Sequence, residues 1–319
     1  MSTAPSTTAP TPAPRATFKD YVDLARPFTL LAPFVGLLCG GLIAIGWTRA
    51  AGEGLPADAW LKVLLLAAAG GLMNAGSNAI NQIYDLEIDR INKPSRPLPS
   101  GRLPLATAWL FTLVFYLQAW IVAAWIGVGP LIIVLIATFL SVFYSAPPLR
   151  FKNNGVVANV AMAVPRGLLL PVAGWLAVRP GDPFNEVPWA VGFVLFLFVV
   201  GAATTKDYAD MEGDAAHGAR TLPVLYGVRR SAQMIAPFFV LPYLAIIPLA
   251  LSGILPRQTL PLALLGVWGA YVVWLILRDP EAMGTVENHP SWKHMYLLLM
   301  VSYVGFAAIF LRLPPGAVQ

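Results

Sequence analysis

Apolar runs alternate along this chain with short polar clusters from Phe28 to near the C-terminus. A helix that crosses a bilayer needs roughly 17–25 consecutive apolar residues. Nine runs meet that length, with cores at 28–47, 60–82, 104–127, 130–146, 156–178, 187–205, 232–251, 260–277 and 295–313. The third and fourth are separated only by Gly127, Gly129 and Pro130, a charge-free turn suited to a membrane interface. The pattern predicts an all-α integral membrane protein with nine transmembrane helices.

Residues 1–17 are rich in Ser, Thr, Ala and Pro and hold no apolar stretch. Such a segment buries too little surface to fold and reads as a disordered tail, with no signal-peptide core. Residues 18–319 are then expected to form one membrane domain. The single cysteine, Cys39, rules out an intrachain disulfide and reads as a small buried side chain.

Composition agrees with this division. Of 319 residues, 57% are hydrophobic and 12% charged, against about a quarter charged in a soluble domain. The net charge of +5 reads as an orientation signal rather than a nucleic-acid surface. If the N-terminus is cytoplasmic, fifteen Lys and Arg fall on the cytoplasmic side and five on the other, with Arg166 inside the fifth helix. That asymmetry places the N-terminus in the cytoplasm of a cell (inner) membrane protein.

Seven of the sixteen acidic residues lie in two short segments. The first runs from Asn78 to Asp89 at the end of the second helix, and the second from Lys206 to Asp214 at the end of the sixth. At 100° per residue, Asn78, Asn81, Asp85 and Asp89 share an arc of about 80°, and Asp207, Asp210 and Asp214 one of about 60°. Both segments read Asp-(Leu/Met)-Glu-x-Asp, and each is followed, five or six residues on, by Arg-x-Leu-Pro, at Arg96 and Arg220. This self-similarity predicts two pseudo-repeated halves that face a shared site.

Carboxylates stacked one turn apart repel unless cations neutralise them. Hard oxygen ligands favour magnesium, which bridges carboxylates to substrate phosphates. Arg96, Lys152, Lys206 and Arg220 are the cations expected to hold the oxygens of such a metal-bound diphosphate. One acidic cluster would equally suit a solvated helix end. Two matched clusters on one membrane face point to function.

With these residues in place, the chain resembles the UbiA superfamily of intramembrane prenyltransferases over nearly its whole length, from about residue 20. Asn81, Gln82, Asp85 and Asp89 are similar to the family's first motif, and Asp207, Asp210 and Asp214 to its second. The loops Asn92 to Gly101 and Tyr144 to Lys152 also resemble family loops. The resemblance implies nine helices around a central cavity that opens to lipid, with a cytoplasmic active site. It implies two magnesium ions on Asp85, Asp89, Asp210 and Asp214, with Asn81 and Asp207 in support and Arg96 and Lys152 on the diphosphate. Gln82 stands where many members carry aspartate, a feature shared with homogentisate prenyltransferases, as is Arg166-Gly167. The Asn92 loop instead resembles chlorophyll synthase and archaeal geranylgeranylglyceryl phosphate transferases, so the acceptor stays open between aromatic and lipid.

The expected reaction ionises a prenyl diphosphate and delivers the chain to an acceptor, with a carboxylate or the diphosphate taking the acceptor's proton. Arg26, Asn78 and Tyr144 are the candidate acceptor contacts. Tyr84 and Tyr144 either shield the carbocation or belong to the interfacial aromatic belt. His217, His289 and His294 lack metal-ligand spacing. No obligate protein partner is evident. A transporter with an intramembrane acidic ion site is the alternative, and it would place its acids near the bilayer midplane. A phosphatidyl-type transferase would concentrate its aspartates in one motif.

Overall fold

The structure, a computed structural model, describes residues 16–216, 218–286 and 289–318. Most of the expected tail (1–15) and His217 lie outside them. Among the described residues, nine helices are long and apolar enough to cross a membrane: Pro27–Ala50, Ala59–Tyr84, Leu105–Ile126, Val128–Ser145, Gly155–Val178, Glu186–Thr204, Leu222–Leu251, Arg257–Arg278 and Pro290–Leu311. They are called the first to ninth spans below. Large aliphatic side chains stay exposed along their outer faces, for example Ile121 at 67% and Val267 at 72%. Lipid is the solvent that tolerates such a surface.

Eight spans start within five residues of the expected positions. The seventh starts ten residues early, at Leu222 rather than 232. Its first turns carry exposed Arg229 and Arg230, and Gly227, at φ 76°, breaks the helix there. A polar, kinked entry of this kind carries no long apolar run, so hydropathy alone misses it.

Without a hydrophobic drive between helices in lipid, spans associate where small residues let backbones approach. The first and fifth spans cross in this way. A Cβ on Gly40 would lie 2.2 Å from the Pro171 carbonyl oxygen, and one on Gly174 would lie 2.1 Å from that of Leu37. The fifth and sixth spans repeat the device, since a Cβ on Gly192 would meet the Leu168 oxygen at 2.4 Å. Cys39 is buried and donates to the Tyr303 carbonyl at 3.1 Å, joining the first span to the ninth.

A short helix, Phe18–Ala25, precedes the first span. Asp20 fastens it, accepting from the Thr17 amide at 2.9 Å and from Arg102 Nε at 2.7 Å. On the far face of the bundle, Arg179 pairs with Glu53 at 2.6 Å and lies over the Trp175 ring.

Candidate active site

Both acidic segments begin where a span ends. The second span stops at Tyr84, Asp85 sits at the break, and a short helix, Leu86–Asn92, carries Asp89. The sixth span stops at Thr204, and a succession of turns carries Asp207 and Asp210 to the short helix Met211–Ala216, which holds Asp214. The expected single helical stripe is therefore broken in both segments. It survives in effect, because i→i−4 or i→i−3 bonds link Asp89 to Asp85 (2.7 Å), Asp210 to Asp207 (3.3 Å) and Asp214 to Asp210 (3.0 Å).

The segments meet. Asn92 accepts from the Gly213 amide at 3.2 Å, and Lys93 pairs with Asp210. Asp85, Asp89, Asp207, Asp210 and Asp214 all line one cavity of about 550 Å³, together with Asn81, Lys93, Arg96, Lys152 and Lys206. Arg26 and residues 284–286 line it as well. Its walls thus come from the segment before the first span and from the connections after the second, fourth, sixth and eighth, the segments that charge asymmetry assigns to one side.

Each cation has a local role. Lys152 pairs with Asp85, with Arg150 3.8 Å from the same oxygen. Arg96 meets Asp89 at 2.5 Å. Lys206 donates to the Tyr144 hydroxyl at 2.8 Å and lies 4.8 Å from the Tyr144 ring centroid. Five carboxylates face five cations, Arg26 among them, so the cavity is close to neutral as it stands. Burial pushes the Asp207 carboxyl up to about 7. Burial and the neighbouring Asp210 charge push Asp214 up to about 6. Burial draws Arg26 down to about 10, helped by repulsion from Arg96.

A second cavity, about 320 Å³, lies between the first, second, fourth and fifth spans. Leu37, Met73, Ile133, Val134, Leu140 and Leu170 give it an apolar wall. Arg26, Asn81, Tyr144 and Lys206 line both cavities and form the boundary between them.

Not every expected residue joins the acidic cavity. Arg220 lies outside it, exposed in a separate groove with Asn153, Asn154 and Tyr226. Its backbone bridges to Asn154, which turns the side chain from the aspartates although Thr221 lines their cavity. Asn78 lines the second cavity, and its amide is spent on the Ala25 carbonyl (2.7 Å) and Thr29 Oγ1 (2.8 Å). Gln82 is wholly buried and donates to the Leu24 carbonyl at 3.0 Å, away from the aspartates. Tyr84 packs edge-on against Trp109 and lines neither cavity, which fits the interfacial belt. His289 caps the ninth span and His294 accepts from Trp268. Lys93, which pairs with Asp210, carries no distinguishing signal in the sequence, since its loop is already rich in basic residues.

The acids sit at span ends rather than at mid-depth, unlike a transporter's ion site. The pattern that defines the UbiA prenyltransferase family matches residues 42–286. The chain belongs to that family. As a UbiA prenyltransferase it is a multi-pass membrane enzyme that transfers isoprenoid groups to lipid or aromatic acceptors. A digeranylgeranylglyceryl phosphate synthase of Methanothermobacter thermautotrophicus is 32% identical over 249 residues, 77% of this chain and 81% of the relative. The bacteriochlorophyll synthase 34 kDa chain of Chloroflexus aurantiacus is 27% identical over 289 residues, 90% of each. A solved UbiA homolog from Archaeoglobus fulgidus, bound to GPP and Mg2+, has the same fold, with a TM-score of 0.65 at 21% identity over 91% of this chain and 99% of its own.

Proposed function

We propose that this UbiA prenyltransferase moves a prenyl chain from its diphosphate to an aromatic or lipid acceptor in a magnesium-dependent reaction at the cytoplasmic face of the membrane. One observation carries the reading: aspartates more than 110 residues apart in sequence line one cavity with matching cations, and that cavity abuts an apolar one.

The donor set suits magnesium. Asn81 spends its amide on Asp85 (2.8 Å) and Ser145 (3.0 Å), which leaves its carbonyl oxygen available to a cation. Among the described residues no three carboxylates converge closely enough to hold an ion unaided. Magnesium bound through a few carboxylates and substrate phosphates needs no such cage. Asn81, Asp85, Asp89, Asp210 and Asp214 would hold two such ions. When bound, magnesium supplies positive charge that neutralises the carboxylates and the leaving diphosphate.

The chain's own groups do the rest. Lys93, Arg96 and Lys152, now on aspartates, are positioned to donate to diphosphate oxygens as charge builds on the leaving group. Lys206 sits on the boundary between the cavities and serves the same charge. The Tyr144 ring faces the boundary where the allylic carbon would lose its oxygen. Asp207, with a carboxyl raised to about 7, suits the role of proton acceptor from the attacking group. The apolar wall excludes water that would quench the cation.

The test is turnover by purified protein in lipid nanodiscs. Geranylgeranyl and longer diphosphates would be offered with aromatic acids, homogentisate and glyceryl phosphate lipids, with and without a chelator. Release of diphosphate that requires both magnesium and an acceptor supports the reading. Chelator-resistant turnover, or none with any pair, sinks it.

A further inference from the structure

Arg220 is the one expected diphosphate cation that the acidic cavity does not hold, and it lines a groove of its own, about 250 Å³ in volume. Asn153, Asn154 and Val156 form one wall of this groove, and Arg220, Leu225 and Tyr226 the other. The first wall is the start of the fifth span and the second the start of the seventh. No acidic side chain lines the groove, and among the described residues Arg220 has neither an ion pair nor a side-chain hydrogen bond. Asn153 likewise has no side-chain partner there, and Asn154 uses only its carbonyl oxygen, which accepts from the Val157 amide at 3.3 Å. A guanidinium and two side-chain amides therefore offer donors with no acceptor opposite them.

The backbone makes the groove a fixed feature. The Gly155 amide donates to the Arg220 carbonyl at 2.9 Å, and residues 154 and 220 pair as an isolated parallel bridge. A Cβ on Gly155 would lie 2.8 Å from the Leu222 amide nitrogen, so the approach depends on glycine. Each wall continues along the chain into the acidic cavity, which Lys152 and Thr221 line.

Depth in the membrane decides what can fill the groove. Two spans begin here, so the donors lie at the membrane surface and the apolar side chains that follow lie in hydrocarbon. Val156 is 60% exposed, and Val157, Val160 and Leu225 are exposed with it. Tyr226, exposed beside them, is an aromatic of the interfacial type. Phosphate matches the fork of guanidinium donors, and basic pockets between transmembrane helices take anionic headgroups. A soluble anion would satisfy the donors and leave the apolar face bare. A phospholipid matches both.

We propose that this groove binds the phosphate of an anionic phospholipid. Arg220, Asn153 and Asn154 hold the headgroup, and an acyl chain runs along Val156 and Leu225. A zwitterionic lipid carries its own cation beside the phosphate, which Arg220 repels, so the site selects a net negative headgroup. The bound lipid braces the bridge between residues 154 and 220, and with it the walls that carry Lys152 and Thr221.

The experiment counts bound lipid on the full-length protein. Detergent-purified protein is titrated with phosphatidylglycerol or phosphatidylcholine of matched chains, and retained lipids are counted by native mass spectrometry. A lone cation near an anionic surface gives about a fivefold preference, whereas a charge-assisted site gives about 10- to 100-fold. The wild type is expected to retain one phosphatidylglycerol in the tighter range. Arg220→Gln should lose it and Arg220→Lys should keep part of the preference. The double variant Arg229→Gln, Arg230→Gln should retain the lipid, since these exposed arginines do not line the groove. In phosphatidylcholine nanodiscs Arg220→Gln should melt as the wild type does, and added phosphatidylglycerol should raise the melting temperature of the wild type alone. A wild-type preference of fivefold or less overturns the proposal without any variant. So does equal loss of lipid in the Arg229, Arg230 variant, which would mark general surface charge. Displacement of the lipid by inorganic phosphate overturns it too, in favour of a soluble anion.

Discussion

Lys93 and Asp210 form an ion pair across the two halves of the acidic cavity, 117 residues apart in sequence. Each follows from its own half: Lys93 ends the short helix after the first motif, and Asp210 lies in the turns of the second. The pair ties the two segments together and holds an ammonium where diphosphate oxygens would lie. Lys93→Met is expected to raise the donor KM about tenfold or more, the loss of one charge-assisted bond, with the acceptor KM unchanged. Steady-state kinetics with each substrate varied in turn checks this.

Asp85 and Asp210 belong to different motifs and are expected to fail alike. Asp85→Asn or Asp210→Asn should lower turnover by about 10²–10³-fold while the protein still extracts and melts as a folded species. Diphosphate release read beside a melting curve separates chemistry from folding. Full activity in either variant would remove that residue from the machinery.

Gln82 lines neither cavity. Its amide donates to Leu24 and anchors the short helix that leads to Arg26. Gln82→Asp should therefore give no gain in magnesium affinity. It should lower stability by about 1–3 kcal/mol or more, because a carboxylate cannot donate to that carbonyl. Magnesium titration and chemical unfolding measure the two effects independently.

Asp207 and Asp214 have carboxyls raised in the folded protein to about 7 and 6, chiefly by burial. A raised carboxyl keeps its proton in the folded state after the unfolded chain has lost it, so stability falls as pH rises from about 4 to 7. In chelator-treated protein the melting temperature should drop between pH 5 and 8, with a smaller drop in Asp207→Asn. Added magnesium should reverse it by binding the ionised folded form. A flat profile in the wild type would contradict the burial that raises these groups.

Gly40 lets the first span lie against the Pro171 carbonyl. Gly40→Val should cost about 1–3 kcal/mol through overpacking and disturb the wall of the second cavity. Detergent melting should register the loss as a lower midpoint than the wild type.

The spans were legible because bilayer thickness imposes a length on every apolar run, and neighbouring residues suffice to meet it. The acidic motifs were legible for a similar reason: helical spacing aligns Asp85 with Asp89 even across a break in the helix. Arg220 repeats the spacing of Arg96 but not its surroundings, and a backbone bridge to Asn154 turns it away from the aspartates. Lys93 is not marked out by its neighbours in the chain because its partner lies in the other half.

Local chemistry along the chain therefore determined that the described residues hold nine helices long and apolar enough to cross a membrane and two oxygen-rich segments, because hydrophobicity and helical period act over a turn or two. Which cation meets which carboxylate and where Gln82 points were decided only by the tertiary structure. Those outcomes depend on glycine contacts between spans distant in sequence, which set how each helix is rotated and which side chains it turns inward.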